Sequence, residues 1–366
     1  MDGQDTALRL NFEDLYILFN FSDYENLSGN STGTFLIDQN TIICHGPHFE
    51  PAVNSAICVV YFLIFLLAIP GNIIVALVIG YNYRFLSPSD IYLLHLVVAD
   101  TLFALSIPFW AVSTVHGWVF GDVMCKLVSL IQEVNFYSSI LFLMCISIDR
   151  YLAIVWAVKA HRKRRALCSW MVCFSVWVLG TVFSFPVLFN DAFKPVNSDR
   201  IVCYEYHNPE SIDQWKLGTR VLRHVLGFLL PLIVMLVCYG VTISRLLGTR
   251  SFEKQKAMRV IVAVVIAFLL CWMPYHLSVI SDTIIRSGLI SYSCETRNSI
   301  DLALFFTQSL GLLHSCINPV LYAFVGQKFR RNLLNLLYKT RVLERSSLSR
   351  SSRSTSQTSE GTSTFL

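Results

Sequence analysis

The sequence predicts an all-α membrane protein: a bundle of seven transmembrane helices, with the N-terminus outside the cell and a short amphipathic helix after the seventh span. Of the 366 residues, 54% are hydrophobic and only 14% are charged, whereas a soluble domain carries about 25% charged residues. Apolar runs recur along most of the chain, and roughly 20 apolar residues cross a bilayer core as a helix. A helix also satisfies its own backbone polar groups where water is absent.

Hydropathy places seven spans, and the loops between them are mostly short, so no soluble domain is large enough to hold an active site. The predicted spans are 54–82, 89–115, 122–155, 166–189, 217–247, 259–286 and 299–325. The predicted regions are an acidic glycosylated extracellular tail (1–50), the bundle (51–325), an amphipathic membrane-surface helix (326–339) and a disordered Ser/Thr-rich cytoplasmic tail (340–366).

The distribution of charge sets the orientation. Lys and Arg concentrate in the loops after spans three and five and after span seven, and such basic loops face the cytoplasm. Residues 1–50 hold eight acids and one base, which places them outside. Membrane topology therefore explains the basic loops, and no nucleic-acid partner is expected. The N-terminus lacks a signal-peptide pattern, so the first span is expected to act as its own insertion signal.

The predicted extracellular regions carry three kinds of modifiable residue. Asn20, Asn26 and Asn30 each begin an Asn-X-Ser/Thr glycosylation acceptor. Tyrosines stand beside acids at Tyr16 and at Asp23-Tyr24-Glu25, where sulfation would add negative charge. Four cysteines are predicted to lie outside, where disulfides persist: Cys44, Cys125, Cys203 and Cys294. Spacing alone leaves all three of their possible pairings open.

A few polar residues interrupt the apolar spans. Asp100 lies in span two, Asn135 and Ser139 lie one turn apart on one face of span three, and Ser315 lies in span seven. Oxygens of this kind suit a small cation. A hydrogen-bonded network without an ion explains the same residues equally well, and the residues do not decide between the two.

The segment SIDRYLAIV places an acid and a base, Asp149 and Arg150, before Tyr151 at the end of span three. From Cys125 to Asp149 a helix rises by about 36 Å, so the pair is predicted at the cytoplasmic end. There Asp149 can hold Arg150 in one state and release it to a partner in another. The alternative is an arginine that snorkels to the interface.

Two prolines are the strongest hinge candidates. Pro274 follows Trp272 in span six, and Pro319 follows Asn318 and precedes Tyr322 in span seven. Each proline removes a backbone hydrogen bond, and each is near a bulky aromatic that can repack between two arrangements. These residues are candidates for a conformational switch.

Taken together, these motifs resemble the rhodopsin-like G-protein-coupled receptors over residues 54–335. The resemblance is carried by Gly71-Asn72, Asp100, Cys125, DRYLAIV, Trp177, Pro231, Cys271 to Pro274, and Asn318 to Tyr322. The stretches GWVFGDVMCK and HSCINPVLYAFVGQKFR are similar to those of chemokine receptors. EVNFYSSILFLMCISIDRYLAIV, VCYE, CETRNSIDLAL and LGLLHSCINP look most like the CXC class, closest to the interleukin-8 receptor type.

The resemblance implies disulfides Cys125–Cys203 and Cys44–Cys294, and it favours sodium at the polar site in the spans. It also implies a ligand-contact zone in the mouth of the bundle. The residues expected there are Trp110, Lys216, Arg220, Asp282, Arg286 and Gln308. Gln308 departs from the family pattern, which usually has glutamate at this place, and so removes an acidic anchor for basic ligand residues.

The implied function is a plasma-membrane receptor for a CXC chemokine that signals through a heterotrimeric G protein of the Gi type to chemotaxis. The tail from Thr340 holds fourteen Ser or Thr residues, which a G-protein-coupled receptor kinase would phosphorylate for arrestin. Lipid is the other expected partner. The alternative is a scavenging chemokine receptor that internalises ligand without coupling.

An enzyme is not expected, because the histidines in the spans lack partners at catalytic or metal-ligand spacing. A transporter usually shows paired repeats, which are not seen.

Overall fold

The computed structural model describes residues 50–81, 86–156, 162–194, 200–205, 212–247, 252–286, 293–325 and 327–339. Within these ranges, seven helices are long and apolar enough to cross a membrane, which confirms the predicted fold class. The first four spans are the helices Pro51–Gly80, Pro88–His116, Gly121–Ile154 and Arg162–Phe183, the last followed by a 3₁₀ turn at Phe185–Phe189.

Of the last three spans, the fifth and the seventh are built from more than one helical segment. Span five consists of Ile212–His224, a π-helical segment Val225–Leu229, and Leu230–Leu247. Span six is Phe252–Arg286, span seven consists of Cys294–Leu312 and His314–Val325, and the helix Gln327–Lys339 follows. Spans six and seven begin before the predicted positions 259 and 299. Hydropathy marks only the part of a helix that crosses lipid, and polar turns continue the helix beyond it.

A short antiparallel hairpin between spans four and five was not predicted. Asn190–Phe193 pairs with Val202–Glu205, with Ala192 opposite Cys203. Each strand has only four residues, too few for an alternating pattern to stand out in the sequence. The hairpin covers the outer end of span three, and its second strand carries a cysteine that is bonded to that helix.

Local sequence signals explain both ends of span two. The Ser87 side chain accepts from the Asp90 backbone N–H while the Asp90 carboxylate accepts from the Ser87 backbone N–H, and Pro88 lies in the first turn. This reciprocal capping satisfies donors that the first helical turn leaves unpaired. At the other end the helix stops at Gly117, whose backbone (φ 73°, ψ −176°) is open essentially only to glycine.

Spans one and seven are joined by one buried amide. Asn72 Nδ2 donates to the backbone carbonyls of Ala68 at 2.9 Å and Ser315 at 2.8 Å. The neighbouring Gly71 allows this approach, because a Cβ there would lie 3.0 Å from the Pro319 side chain. The Asn72 bond therefore fixes the part of span seven that holds the predicted switch residues.

The core lies between the spans, and the outer surface is apolar. Residues such as Ile140, Phe142 and Phe268 are fully buried inside the bundle, whereas Leu67 and Phe174 are among many large apolar side chains that point outward. A helix bundle that is apolar on both its inner and outer faces is stable in lipid rather than in water.

Candidate functional site

A cavity of about 740 Å³ lies at the extracellular end of the bundle. The hairpin and all seven spans contribute to its wall. Four of the six side chains expected in the ligand-contact zone line it: Trp110, Arg220, Asp282 and Gln308. Lys216 and Arg286 lie in described helices, but their side chains fall outside the described part. The cavity is within the size range of ligand pockets.

The predicted residues of the N-terminal tail cannot be placed relative to this cavity. They lie outside the described residues: Tyr16, Asn20, Asp23, Tyr24, Glu25, Asn26, Asn30 and Cys44.

The rim of the cavity is fixed by covalent and polar ties between span three and the hairpin. Cys125 and Cys203 form a disulfide, as the resemblance implied. Lys126 Nζ contacts Asp191 Oδ1 at 2.5 Å. Cys294 is also disulfide-bonded, and Cys44, its expected partner, lies outside the described residues. These ties hold one wall of the cavity mouth in place.

Within the cavity, Arg220 and Asp282 form an ion pair between spans five and six. Arg220 Nη2 lies 2.8 Å from Asp282 Oδ2, and Arg220 Nη1 donates to Thr283 Oγ1 at 2.8 Å. The Asp282 side chain is only 5% exposed. A ligand must therefore compete with Arg220 to reach this acid.

A second ion pair, which sequence reasoning missed, joins three spans deeper in the cavity. Arg223 of span five lies 2.7 Å, through Nη2, from Glu133 Oε1 of span three. Arg223 Nε donates to the same oxygen at 2.9 Å, and Nη1 donates to the Tyr275 hydroxyl of span six at 2.9 Å. Ionisable residues inside membrane spans usually mark function. That rule, applied to Asp100, would also have identified Glu133 and Arg223.

Trp272 forms part of the cavity floor. It lines the cavity, is 3% exposed, and meets Phe136 edge to face at 5.0 Å between ring centroids. Gly311 of span seven lies against it, because a Cβ there would be 3.1 Å from Trp272 Cζ3. Pro274 is inside the same helix. The ring is thus confined by three spans, next to a proline.

Contacts continue from Trp272 toward the cytoplasm. The rings of Trp272 and His314 lie 5.5 Å apart, and His314 Nε2 is 3.6 Å from Asp100 Oδ1. Asn318 Nδ2 donates to Asp100 Oδ2 at 2.8 Å. Asn318 was predicted for the switch and Asp100 for the cation site, and the structure brings the two together. Pro319 follows inside the same helix, and the Tyr322 side chain lies outside the described part.

The oxygens around Asp100 fit a small cation. Asn135 and Ser139 make only long contacts to Asp100 Oδ1, at 3.5 Å and 3.4 Å. Asn135 Oδ1 is buried and has no hydrogen-bond partner within the described ranges. The Ser315 hydroxyl donates to the Leu312 carbonyl at 2.9 Å and keeps its lone pairs. Carboxylate, amide and hydroxyl oxygens suit a hard cation.

At the cytoplasmic end of span three, Asp149 accepts a hydrogen bond from a serine of span two. Ser89 Oγ donates to Asp149 Oδ2 in a short contact. Arg150 Nε is 3.9 Å from the same oxygen, beyond hydrogen-bond reach. Arg150 Nε is buried and has no hydrogen bond inside the described segments. The arginine is therefore near its predicted partner but only weakly held by it.

Two tyrosines flank this pair. The Tyr239 hydroxyl of span five lies 2.6 Å from Ser147 Oγ, and the Tyr151 hydroxyl accepts from Trp156 Nε1 at 3.0 Å. Span five is thereby tied to span three, one turn from Arg150.

Comparison with known proteins agrees with this architecture. Residues 71–322 match the family model described as 7 transmembrane receptor (rhodopsin family). The chain is 48% identical over 309 residues to C-X-C chemokine receptor type 1 of Oryctolagus cuniculus, covering 84% of this chain and 85% of the relative. It is 42% identical over 367 residues to C-X-C chemokine receptor type 2 of Mus musculus, covering all of both chains. The chain therefore belongs to the rhodopsin family of seven-transmembrane receptors.

Proposed function

We propose that this protein is a plasma-membrane receptor for a CXC chemokine and that it couples binding outside the cell to a heterotrimeric G protein inside. The names of its relatives support the ligand class. The observation that carries the coupling is the continuous set of contacts from the cavity floor at Trp272, through His314 and Asp100, to Asn318. A ligand that prefers one arrangement of Trp272 can bias the cytoplasmic end through these contacts.

The acidic tail supports a basic ligand. Residues 1–50 hold eight acids and one base, and opposite charges raise the association rate more than the final affinity, with an effect that weakens in salt. Deleting residues 1–35 should lower the affinity for the chemokine and reduce its salt dependence. An association rate and an affinity that both stay unchanged after the deletion would show that the tail does not steer the ligand.

Nucleotide exchange tests the central proposal. Membranes that contain the receptor and a purified Gi heterotrimer are exposed to a panel of CXC chemokines. At least one chemokine should accelerate exchange, and Arg150→Ala should abolish the acceleration while ligand binding is retained. If no chemokine accelerates exchange on the wild-type receptor, the proposal is wrong.

A scavenging receptor is the alternative, and the same assay separates it. A scavenger would bind and internalise chemokine without any exchange. The intact DRYLAIV segment at Asp149 to Val155 favours coupling.

Two accessory proposals follow. Kinase phosphorylation of the fourteen Ser and Thr residues from Thr340 onward would give an anionic segment for arrestin. Sodium held by Asp100, Asn135, Ser139 and Ser315 would neutralise the Asp100 carboxylate. Replacing sodium by a large organic cation should then change the affinity for the chemokine in the wild type but not in Asp100→Asn.

A further inference from the structure

The cavity contains one acid close to its floor. Three acids line the cavity in the described part of the chain: Glu133, Asp282 and Asp301. Asp282 lies ten residues beyond Trp272 along span six, about 15 Å nearer the outside. Asp301 lies seven residues, about 10 Å, outward of Gln308 on span seven. Glu133 is linked through Arg223 to Tyr275, less than one helical turn above Trp272.

The Glu133 carboxylate uses only half of its acceptor capacity. Arg223 Nη2 and Nε both bind Oε1, at 2.7 Å and 2.9 Å. Oε2 makes no hydrogen bond within the described segments, and it is not among the fully buried atoms there that lack one. This oxygen is therefore at least partly exposed. Because Glu133 lines the cavity and its side chain is 13% exposed, Oε2 faces the cavity.

An accessible carboxylate oxygen in a half-buried pocket binds a guanidinium or ammonium group more strongly than it binds a neutral donor. Gln308, which also lines the cavity, offers only an amide. We propose that Glu133 is the acceptor for a cationic group at the tip of the ligand that enters the cavity, and that this group binds in competition with Arg223. The inference rests on the proposed chemokine-receptor function.

Competition between the ligand cation and Arg223 for Glu133 also affects span six. Glu133 carries one negative charge, so a ligand cation on Oε2 weakens the hold of Oε1 on Arg223. Arg223 also donates to the Tyr275 hydroxyl at 2.9 Å, three residues beyond Trp272. A ligand cation at Glu133 therefore loosens the polar link between spans three, five and six, next to the floor that the ligand must move.

A double-mutant cycle between receptor and ligand tests the proposal. The probe is the CXC chemokine that gives the largest nucleotide-exchange response on the wild-type receptor. Each Lys and Arg of its N-terminal segment is replaced singly by Gln, and its α-amino group is acetylated in a separate variant. One of these changes should weaken binding to the wild type about 10- to 100-fold. The same change should weaken binding to Glu133→Gln by less than about threefold.

Two further variants sharpen the cycle. Arg223→Met removes the competing cation and should tighten binding of the unmodified chemokine several-fold. Asp301→Asn removes another cavity acid, one nearer the mouth. The same ligand change should still weaken binding to this variant by the full factor of about 10- to 100-fold seen with the wild type. If Glu133→Gln does not reach the cell surface, Glu133→Gln/Arg223→Met removes both charges together and replaces it in the cycle.

The outcomes separate this inference from the proposed function. A wild-type receptor that responds to chemokine, with no ligand cation coupled to Glu133 by more than about twofold, would overturn the Glu133 assignment alone. Tighter binding to Glu133→Gln together with weaker binding to Arg223→Met would also overturn it, because the group bound there would then be an anion. A wild-type receptor without any chemokine response would instead refute the proposed function.

Discussion

Replacing Ser89 by alanine should raise the basal activity of the receptor. The Ser89 hydroxyl donates to Asp149 Oδ2, whereas Arg150 lies 3.9 Å from that oxygen. The serine therefore holds the acid that is expected to restrain Arg150. When Asp149 loses this bond, the arrangement in which Arg150 stays beside Asp149 loses stability relative to the arrangement in which Arg150 is released.

The size of the effect follows from the environment of the bond. Ser89 is 7% exposed and the Asp149 side chain is 11% exposed, so water does not readily replace the lost donor. Hydrogen bonds to charged groups contribute about 1.5 to 3 kcal/mol. Asp149 retains another contact, so the lower end, about 1.5 kcal/mol, applies. That free energy corresponds to about a tenfold larger population of the released arrangement.

The assay is basal nucleotide exchange in membranes, normalised to the number of receptors. Ser89→Ala should show about tenfold faster exchange without chemokine, and Ser89→Thr, which keeps the hydroxyl, should stay near the wild-type rate. Ser106→Ala is a matched control, because that buried hydroxyl donates only to the Phe103 carbonyl of its own helix, at 2.6 Å. Wild-type basal exchange in a Ser89→Ala receptor that still binds chemokine would refute the role given to Ser89.

Three further substitutions give distinct outcomes. Gly117→Ala places a Cβ 2.8 Å from a backbone oxygen in a conformation with φ +73°, so the melting temperature of the purified receptor should fall by roughly 5 °C; an unchanged melting temperature would contradict this. Gly311→Ala crowds Trp272, with ring atoms at 3.1 Å to 3.3 Å from the new Cβ, and a strain of about 1 kcal/mol should raise basal exchange about fivefold. Basal exchange at the wild-type rate in Gly311→Ala would show that the ring does not repack. Asp191→Asn breaks a pair with Lys126 whose side chains are 41% and 36% exposed; since exposed pairs contribute at most about 1 kcal/mol, the melting temperature should change by less than about 3 °C.

Hydropathy and charge were sufficient to predict the seven spans, because lipid imposes the same requirement on every crossing helix. The same reasoning identified Asp100, since an acid in a membrane span is conspicuous wherever the helix points. Sequence reasoning could not show that Asn318, predicted for the switch, would donate to Asp100, predicted for the cation site. That contact depends on the rotation of span seven, which Asn72 fixes through the Ser315 carbonyl.

Pairing between spans was the part that sequence could not supply. Glu133 and Arg223 are ninety residues apart, and nothing in either segment indicates that the side chains meet. The π-helical segment Val225–Leu229 lies directly after the helix that carries Arg223, and its extra residue per turn changes the rotation of span five. Periodicity predicts only a regular helix. In a regular helix, the two halves of span five would be rotated differently with respect to each other about the helix axis. The hairpin escaped prediction because its strands of four residues are too short to show an alternating pattern.

The two ion pairs and the Asp100–Asn318 hydrogen bond share a property that bears on mechanism: each joins different spans, and the acid in each is largely buried. Arg220–Asp282 joins spans five and six, Glu133–Arg223 joins three and five, and Asp100–Asn318 joins two and seven. A charge removed from water is tolerated only while it is paired, and removal of one partner is far more costly than exchange of that partner. A ligand cation that takes the place of Arg223 at Glu133 leaves the carboxylate paired throughout, so only Arg223 loses its counter-charge. The cost of the exchange falls on Arg223 and its contact with Tyr275, and for this reason a buried ion pair at the cavity floor is a better trigger than an unpaired acid would be.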